Sequence, residues 1–168
     1  MLKPVSFEEA RHTHYPKQVV IAIAKDRDGK ANPISIGRFM AVSHEPPMLA
    51  IAVGKTRYTA ETIVHSECFT VAVPSIDMAD VTLLFGTRSG RDIDKLAASG
   101  CTIESARTID SVLLSDAVVN YECELESYFP AGDHLVFIGK VVASHLNEES
   151  APCLYITGPE HQIGPIGS

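Results

Sequence analysis

Large and small apolar residues alternate along much of the chain. From Gln18 to Lys25, Ile21 and Ile23 interleave with Ala22 and Ala24; from Met48 to Val53, Leu49, Ile51 and Val53 interleave with Ala50 and Ala52. A period of two with apolar residues on both faces suits strands covered on both sides, as in a small closed barrel with packing outside it. The first run ends at Asp26, Arg27, Asp28 and Gly29, whose Asp-Gly pair favours a hairpin turn, so the chain is expected to return through Asn32 to Ser43. Pro46 and Pro47 then turn it into the strand from Met48 to Val53. Arg57 to Ser66 carries Ala60, Ile63 and Val64 at helical spacing and leads into another apolar strand, Cys68 to Val73. Asp77 to Phe85 and Asp92 to Ala98 read as two short helices. Two long β segments, Ala117 to Ser127 and Leu135 to Leu146, hinge on Ala131, Gly132 and Asp133, and a last strand runs from Pro152 to Thr157. Strands outnumber helices, and short connections favour antiparallel pairing. The predicted class is α+β, mainly β: a β-barrel with two or three helices packed over it.

At 168 residues the chain fits a single domain, 1–168, with its two ends peripheral. The absence of an N-terminal leader pattern, and of any apolar run near the roughly 20 residues a membrane span needs, points to a cytoplasmic protein without a membrane partner. The formal charge of -7 argues against nucleic acid, whose binding draws on Lys and Arg. Cys68, Cys101, Cys123 and Cys153 are widely spaced and read as reduced thiols rather than a zinc site. His12 and His14 alternate, but no third ligand accompanies them and no metal is assigned. No glycine-rich dinucleotide fingerprint, phosphate-loop lysine or serine elbow occurs.

Three segments carry candidate chemistry. Lys55, Thr56, Arg57, Tyr58 and Thr59 fall where a strand ends and a helix begins, which gathers hydroxyls, cations and free backbone N–H groups suited to an anion. Thr56 could equally be a simple helix cap. Gly86 to Lys95 brings Arg88 and Arg91 next to Gly86, Ser89 and Gly90 just before another helix; glycine admits a ligand close to backbone, and arginine's fork of donors suits phosphate. The plainer reading is a surface loop with Asp92 as helix cap. In Asn32 to Phe39, the residues Ser35, Gly37 and Phe39 would share one face of the strand, a polar and glycine pattern that often marks close approach of a ligand or another backbone and that a β-bulge or edge strand would explain equally well. Arg38, Lys55, Arg57, Arg88, Arg91 and Lys95 are six of only 14 Lys and Arg residues, which favours a shared anionic ligand.

The ordered set Asn32-Pro33-x-Ser35, Lys55-Thr56-Arg57-x-Thr59, Phe85-Gly86 with Ser89-Gly90-Arg91-Asp92-x-Asp94-Lys95, and Gly132-Asp133-His134-x-x-Phe137-x-Gly139-x-Val141 resembles the flavin reductase-like family from about Pro16 to His161. The resemblance implies a split β-barrel that binds FMN, with FAD as the other flavin, usually as a homodimer with each flavin near the subunit interface. It places Asn32, Ser35, Ile36, Gly37 and Arg38 along the ring or ribityl chain. Lys55, Thr56, Arg57, Thr59, Ser89, Gly90, Arg91 and Lys95 fall around the phosphate, and His134 and Tyr155 near the ring or an incoming nicotinamide. The implied activity is hydride transfer from NAD(P)H to flavin. The alternative is a flavoredoxin-like FMN electron carrier served by a protein donor.

Overall fold

The computed structural model describes residues 1–166. Helix α1 (Phe7–Arg11) and the short strand β1 (Lys17–Gln18) precede a hairpin of β2 (Val20–Lys25) and β3 (Ala31–Ile36). Asp26 builds its turn: the carboxylate accepts the backbone N–H groups of Asp28 and Lys30 at 3.0 and 2.9 Å. Gly29 supplies a φ of 78° there, which a side chain would resist. Strands β4 (Phe39–His44) and β5 (Pro47–Gly54), helix α2 (Tyr58–Ser66) and strand β6 (Cys68–Val73) follow. After a 3-10 turn at Ile76–Met78 come α3 (Ala79–Thr87) and α4 (Lys95–Ser99), then the small hairpin of β7 (Ile103–Ser105) and β8 (Val112–Leu114). The long strands β9 (Val119–Ala131) and β10 (His134–Leu146) lead to the short β11 (Tyr155–Ile156) and β12 (Ile163–Gly164).

Seven strands form one sheet in the order β3-β2-β6-β9-β10-β5-β4. Its edges are β3 and β4, yet only Gly37 and Arg38 separate those strands in sequence. The sheet must therefore curl until its edges approach, which makes it a split barrel. Here the structure corrects the expectation of one returning strand from Asn32 to Ser43. The chain leaves one edge at Gly37, where a Cβ would stand 2.6 Å from Ile156 Cδ1, and joins the other.

Alternation explains the two apolar layers. Val20, Ala22, Ile51, Val53, Phe69, Val71 and Phe137 point into the barrel, whereas Ile21, Ile23 and Ala72 point outward against Phe85 of α3 and Leu114 of β8. Strand β2 is thus buried on both faces, as its large-and-small pattern predicts. Gly139 lets β10 close on the interior: a Cβ there would meet Phe69 Cζ at 2.5 Å and Cys123 Cβ at 2.8 Å.

Three helices, α2, α3 and α4, pack on the sheet as expected, while the additional α1 buries no residue. Other elements depart from expectation. Helix α4 starts at Lys95 rather than Asp92, because Ser89 O accepts both the Asp92 and Ile93 N–H groups at 3.2 Å in a tight turn. Asp94, not Asp92, caps α4 through Ala97 N at 3.1 Å. The strand expected from Pro152 to Thr157 shortens to Tyr155–Ile156 plus one bridge between Cys153 and Ser75. The hairpin of β7 and β8 had no sequence signal. The loop joining its strands hangs on the fully buried Glu122 carboxylate, which accepts the N–H groups of Arg107, Thr108 and Ile109 at 2.9, 2.7 and 3.1 Å. The Thr108 hydroxyl also donates to Glu122, and His145 Nε2 lies 2.6 Å from it. All four cysteines are free thiols. No helix among the described residues is long and apolar enough to cross a membrane.

Candidate functional site

Three segments distant in sequence enclose a cavity of about 180 Å³. Strand β3 contributes Asn32 and Ile34, the start of α2 contributes Thr56 to Thr59, and the loop after α3 contributes Gly86, Arg88, Ser89, Gly90 and Arg91, with Lys95 behind it. Strand β5 ends at Gly54, whose carbonyl accepts Arg57 N at 2.9 Å, so the chain turns directly into α2. Arg57 occupies the N-cap position without a side-chain cap hydrogen bond. Thr56 is therefore not the cap, and the first N–H groups of the helix remain available to an anion.

Asn32 forms the floor. It is 4% exposed, and its Nδ2 donates to Thr59 Oγ1 at 2.7 Å. Its Oδ1 is buried without a partner, a state that costs roughly 1–3 kcal/mol unless a ligand relieves it. Gly90 covers the same atom: a Cβ at residue 90 would fall 1.9 Å from Asn32 Oδ1 and 3.2 Å from Tyr58 Cδ1. Glycine is thus required for the loop to approach the strand.

Four cations, Arg57, Arg88, Arg91 and Lys95, line the cavity, and among the described residues none lining it is acidic. Lys95 is 4% exposed; its ammonium donates to Phe85 O at 3.0 Å and Arg88 O at 3.2 Å, closing the C terminus of α3. Burial, and then the Arg57 charge, push its pKa down to about 8. The Arg91 guanidinium donates to Thr56 O at 3.2 Å and to the Glu61 carboxylate, and it lies 4.9 Å from the centre of the Tyr58 ring. Tyr58 in turn donates its hydroxyl to Asp26 at 3.1 Å.

Of the residues that the sequence singles out, the cavity gathers Asn32, Thr56, Arg57, Tyr58, Thr59, Gly86, Arg88, Ser89, Gly90, Arg91 and Lys95. The others stand elsewhere. Ser35 faces α3 and donates to Thr82 O at 2.7 Å. Ile36 packs on the barrel core, and Gly37 lies under Ile156. Arg38 and Lys55 are exposed on the Asp133 side: the Lys55 N–H donates to Asp133 O at 3.0 Å. The Asp133 carboxyl is held below its ordinary range first by its hydrogen bond to His134 and, more weakly, by the charge of Arg38. His134 pairs across the sheet with Gly54, where β5 ends just before the cavity's α2 wall. Tyr155, half-buried in β11, pairs with Gln18 and Gly164. Ile34 lines the cavity as well, although the sequence gives it no candidate chemistry. Ile34 was legible in principle, since it shares a strand face with Asn32.

The donor set of guanidinium, ammonium, hydroxyl and helix N–H groups selects an anion such as phosphate. The unpaired Asn32 oxygen adds a second feature: a phosphate dianion carries no hydrogen, whereas a ligand that also offers a hydroxyl or N–H can pair with it. A flavin mononucleotide, with its phosphate, ribityl hydroxyls and ring N–H, fits both. The fold and the cavity thus define a split-barrel protein with a cation-lined cavity suited to an anionic ligand.

A model of the flavin reductase like domain matches residues 11–164, and the chain belongs to that family. It is 30% identical to an actinorhodin polyketide dimerase of Streptomyces coelicolor, over 84% of this chain and 76% of that one. It is 29% identical to a flavin reductase of Pseudomonas putida, over 86% and 81%. Among solved structures, flavoredoxin of Methanosarcina acetivorans superposes with a TM-score of 0.85 at 24% identity, covering 99% of this chain and 93% of that one.

Proposed function

We propose that the protein is an FMN-dependent oxidoreductase that passes hydride from NAD(P)H to flavin. The carrying observation is the cavity itself: in a chain of net charge -7, four cations and an unpaired buried acceptor converge on one space. Arg57, Arg88, Arg91, Lys95, Thr56, Ser89 and the α2 N–H groups would hold the phosphate, and Asn32 would accept from a ribityl or ring donor. The bound flavin supplies the electron chemistry, leaving the protein to bind, orient and shield it. His134, beside Gly54, would border the ring or nicotinamide, and Tyr155 is proposed on the resemblance alone. A relative from Streptomyces nodosus subsp. asukaensis, 29% identical and named as an NADH-dependent FMN reductase, supports the reductase reading.

The deciding experiment is a visible spectrum of the FMN-loaded protein, without oxygen, before and after NADH or NADPH. Bleaching of the flavin band by a nicotinamide is expected. Bleaching by a protein donor alone would instead make the protein an electron carrier, and failure to take up FMN at all would end the flavin reading. Arg91→Ala is expected to weaken FMN binding more than Arg27→Ala, since exposed Arg27 lies outside the cavity.

We propose further that two copies pair through the outer face of β4, β5, β10 and β9. Met40, Ala50 and Ile138 stand side by side there, next to Ala52, Val136 and Phe129, with Met40 60% and Phe129 49% exposed. A face this apolar suits a self-complementary homodimer better than a transient partner. Light scattering on the purified protein is expected to give twice the chain mass; a monomer would refute the pairing. A cytoplasmic setting, proposed on the strength of the four unpaired thiols, completes the reading.

A further inference from the structure

We infer that Glu61 is an internal rival of the flavin phosphate, holding Arg91 across the cavity when no ligand is present and so making the flavin an exchangeable ligand rather than a permanently held one. The inference rests on the flavin reading above and concerns how tightly that site grips.

Arg91 joins the two walls of the cavity. It comes from the loop after α3, while its partners Thr56 and Glu61 lie at the entry and in the first turn of α2, and the guanidinium also covers the Tyr58 ring. The bridge is open to solvent, with side-chain exposures of 42% for Arg91 and 62% for Glu61, and of the two only Arg91 lines the cavity. A bridge this wet is weak and reversible, worth little on its own. It can therefore yield to a phosphate dianion, which offers Arg91 a larger charge and a bidentate geometry.

Lys95 cannot play the same part. Its ammonium is buried and engaged with two helix carbonyls, so it is fixed whether or not a ligand is bound. Arg91 alone among these cations is held by a carboxylate of the chain, among the described residues. An incoming phosphate must take Arg91 from Glu61 and then remain beside an uncompensated carboxylate. Both effects oppose binding of the phosphate, and neither touches the isoalloxazine or the ribityl chain.

The test compares flavins that differ only in the phosphate. FMN and riboflavin are titrated by fluorescence into the wild-type protein, Glu61→Gln and Glu61→Asp, and FMN release is followed by stopped flow. Glu61→Gln is expected to tighten FMN by about threefold to tenfold and to slow its release to match, the size of an exposed charge pair plus local repulsion. Riboflavin affinity should not change, and Glu61→Asp should behave as wild type. Weaker FMN binding in Glu61→Gln would show that Glu61 presents Arg91 to the phosphate and would overturn the inference. An equal gain for riboflavin, or no change for either flavin, would overturn it too. A wild-type protein that binds neither flavin would remove the function reading itself, a result distinct from these.

Discussion

Asn32 Nδ2 and Thr59 Oγ1, 27 residues apart in sequence, meet at 2.7 Å inside the cavity and tie strand β3 to helix α2. The bond uses the donor half of the amide and leaves the acceptor half to a ligand. Thr59→Val removes the hydroxyl at nearly constant volume and leaves both halves of the Asn32 amide unpaired. It is expected to lower unfolding free energy by about 1–3 kcal/mol, read by urea denaturation, and to weaken both FMN and riboflavin. A variant as stable as wild type would show that the contact does not tie the two elements.

Gly90 is expected to tolerate no side chain for a different reason. Its backbone is not in the left-handed region that glycine alone favours; the obstacle is space, with a Cβ 1.9 Å from Asn32 Oδ1. Because the loop is at the surface, Gly90→Ala should displace the loop rather than unfold the protein. The expected result is a loss of FMN affinity of at least about tenfold with a melting temperature within a few degrees of wild type. Unchanged affinity would mean that the loop does not form the cavity roof.

These two sites show what could be read from the sequence and what could not. Cys68–Val73 follows directly from its run of apolar β-formers, and α2 from the spacing of Ala60 and Ile63. The cations around residues 57, 91 and 95 were legible as a cluster because so few cations occur in the chain. The break between β3 and β4 was not legible, because it depends on Ile156 arriving over Gly37 from 119 positions further along the chain. The separation of Ser35 from Asn32, by contrast, is legible from alternation alone: three positions apart on a strand, they face opposite sides, one toward α3 and one into the cavity. Gly139, part of the same sequence motif as His134, proves to serve packing against Phe69 and Cys123. The β7–β8 hairpin was invisible because its loop is organised by Glu122, a residue with no local pattern to announce it.

The pKa of Lys95, pushed down to about 8 by burial and then by Arg57, sets a pH dependence for binding. Below that value the ammonium is charged and attracts the phosphate; as pH rises through it, the charge and the attraction are lost. A bound phosphate favours the charged form, so the loss extends to somewhat higher pH in the complex. The phosphate itself is already a dianion above about pH 7 and contributes no further change. FMN affinity is therefore expected to fall between about pH 7.5 and 9.5 while riboflavin affinity stays level. Lys95→Met should abolish the fall and bind FMN weakly throughout. Parallel curves for FMN and riboflavin would separate Lys95 from the phosphate.

Glu122 sets a second pH dependence, this one of stability. Burial alone would raise its pKa, but hydrogen bonds from the Thr108 hydroxyl, the Arg107 and Thr108 N–H groups and His145 outweigh it and bring the value from an ordinary 4.5 to about 2. A carboxyl whose folded-state pKa is depressed stabilises the fold above its unfolded pKa, and that contribution disappears as pH falls toward the folded value. Here it is on the order of 3 kcal/mol, complete above about pH 4.5 and lost on the way down to about pH 2. Glu122→Gln cannot carry the charge, and it turns an amide N–H toward backbone N–H groups that need an acceptor. It is expected to be less stable than wild type at neutral pH by a similar amount, with the difference shrinking steadily below about pH 4.5. Urea unfolding of both proteins across that range measures it. A difference that stays constant with pH would mean that the Glu122 carboxylate does not stabilise the fold through its charge.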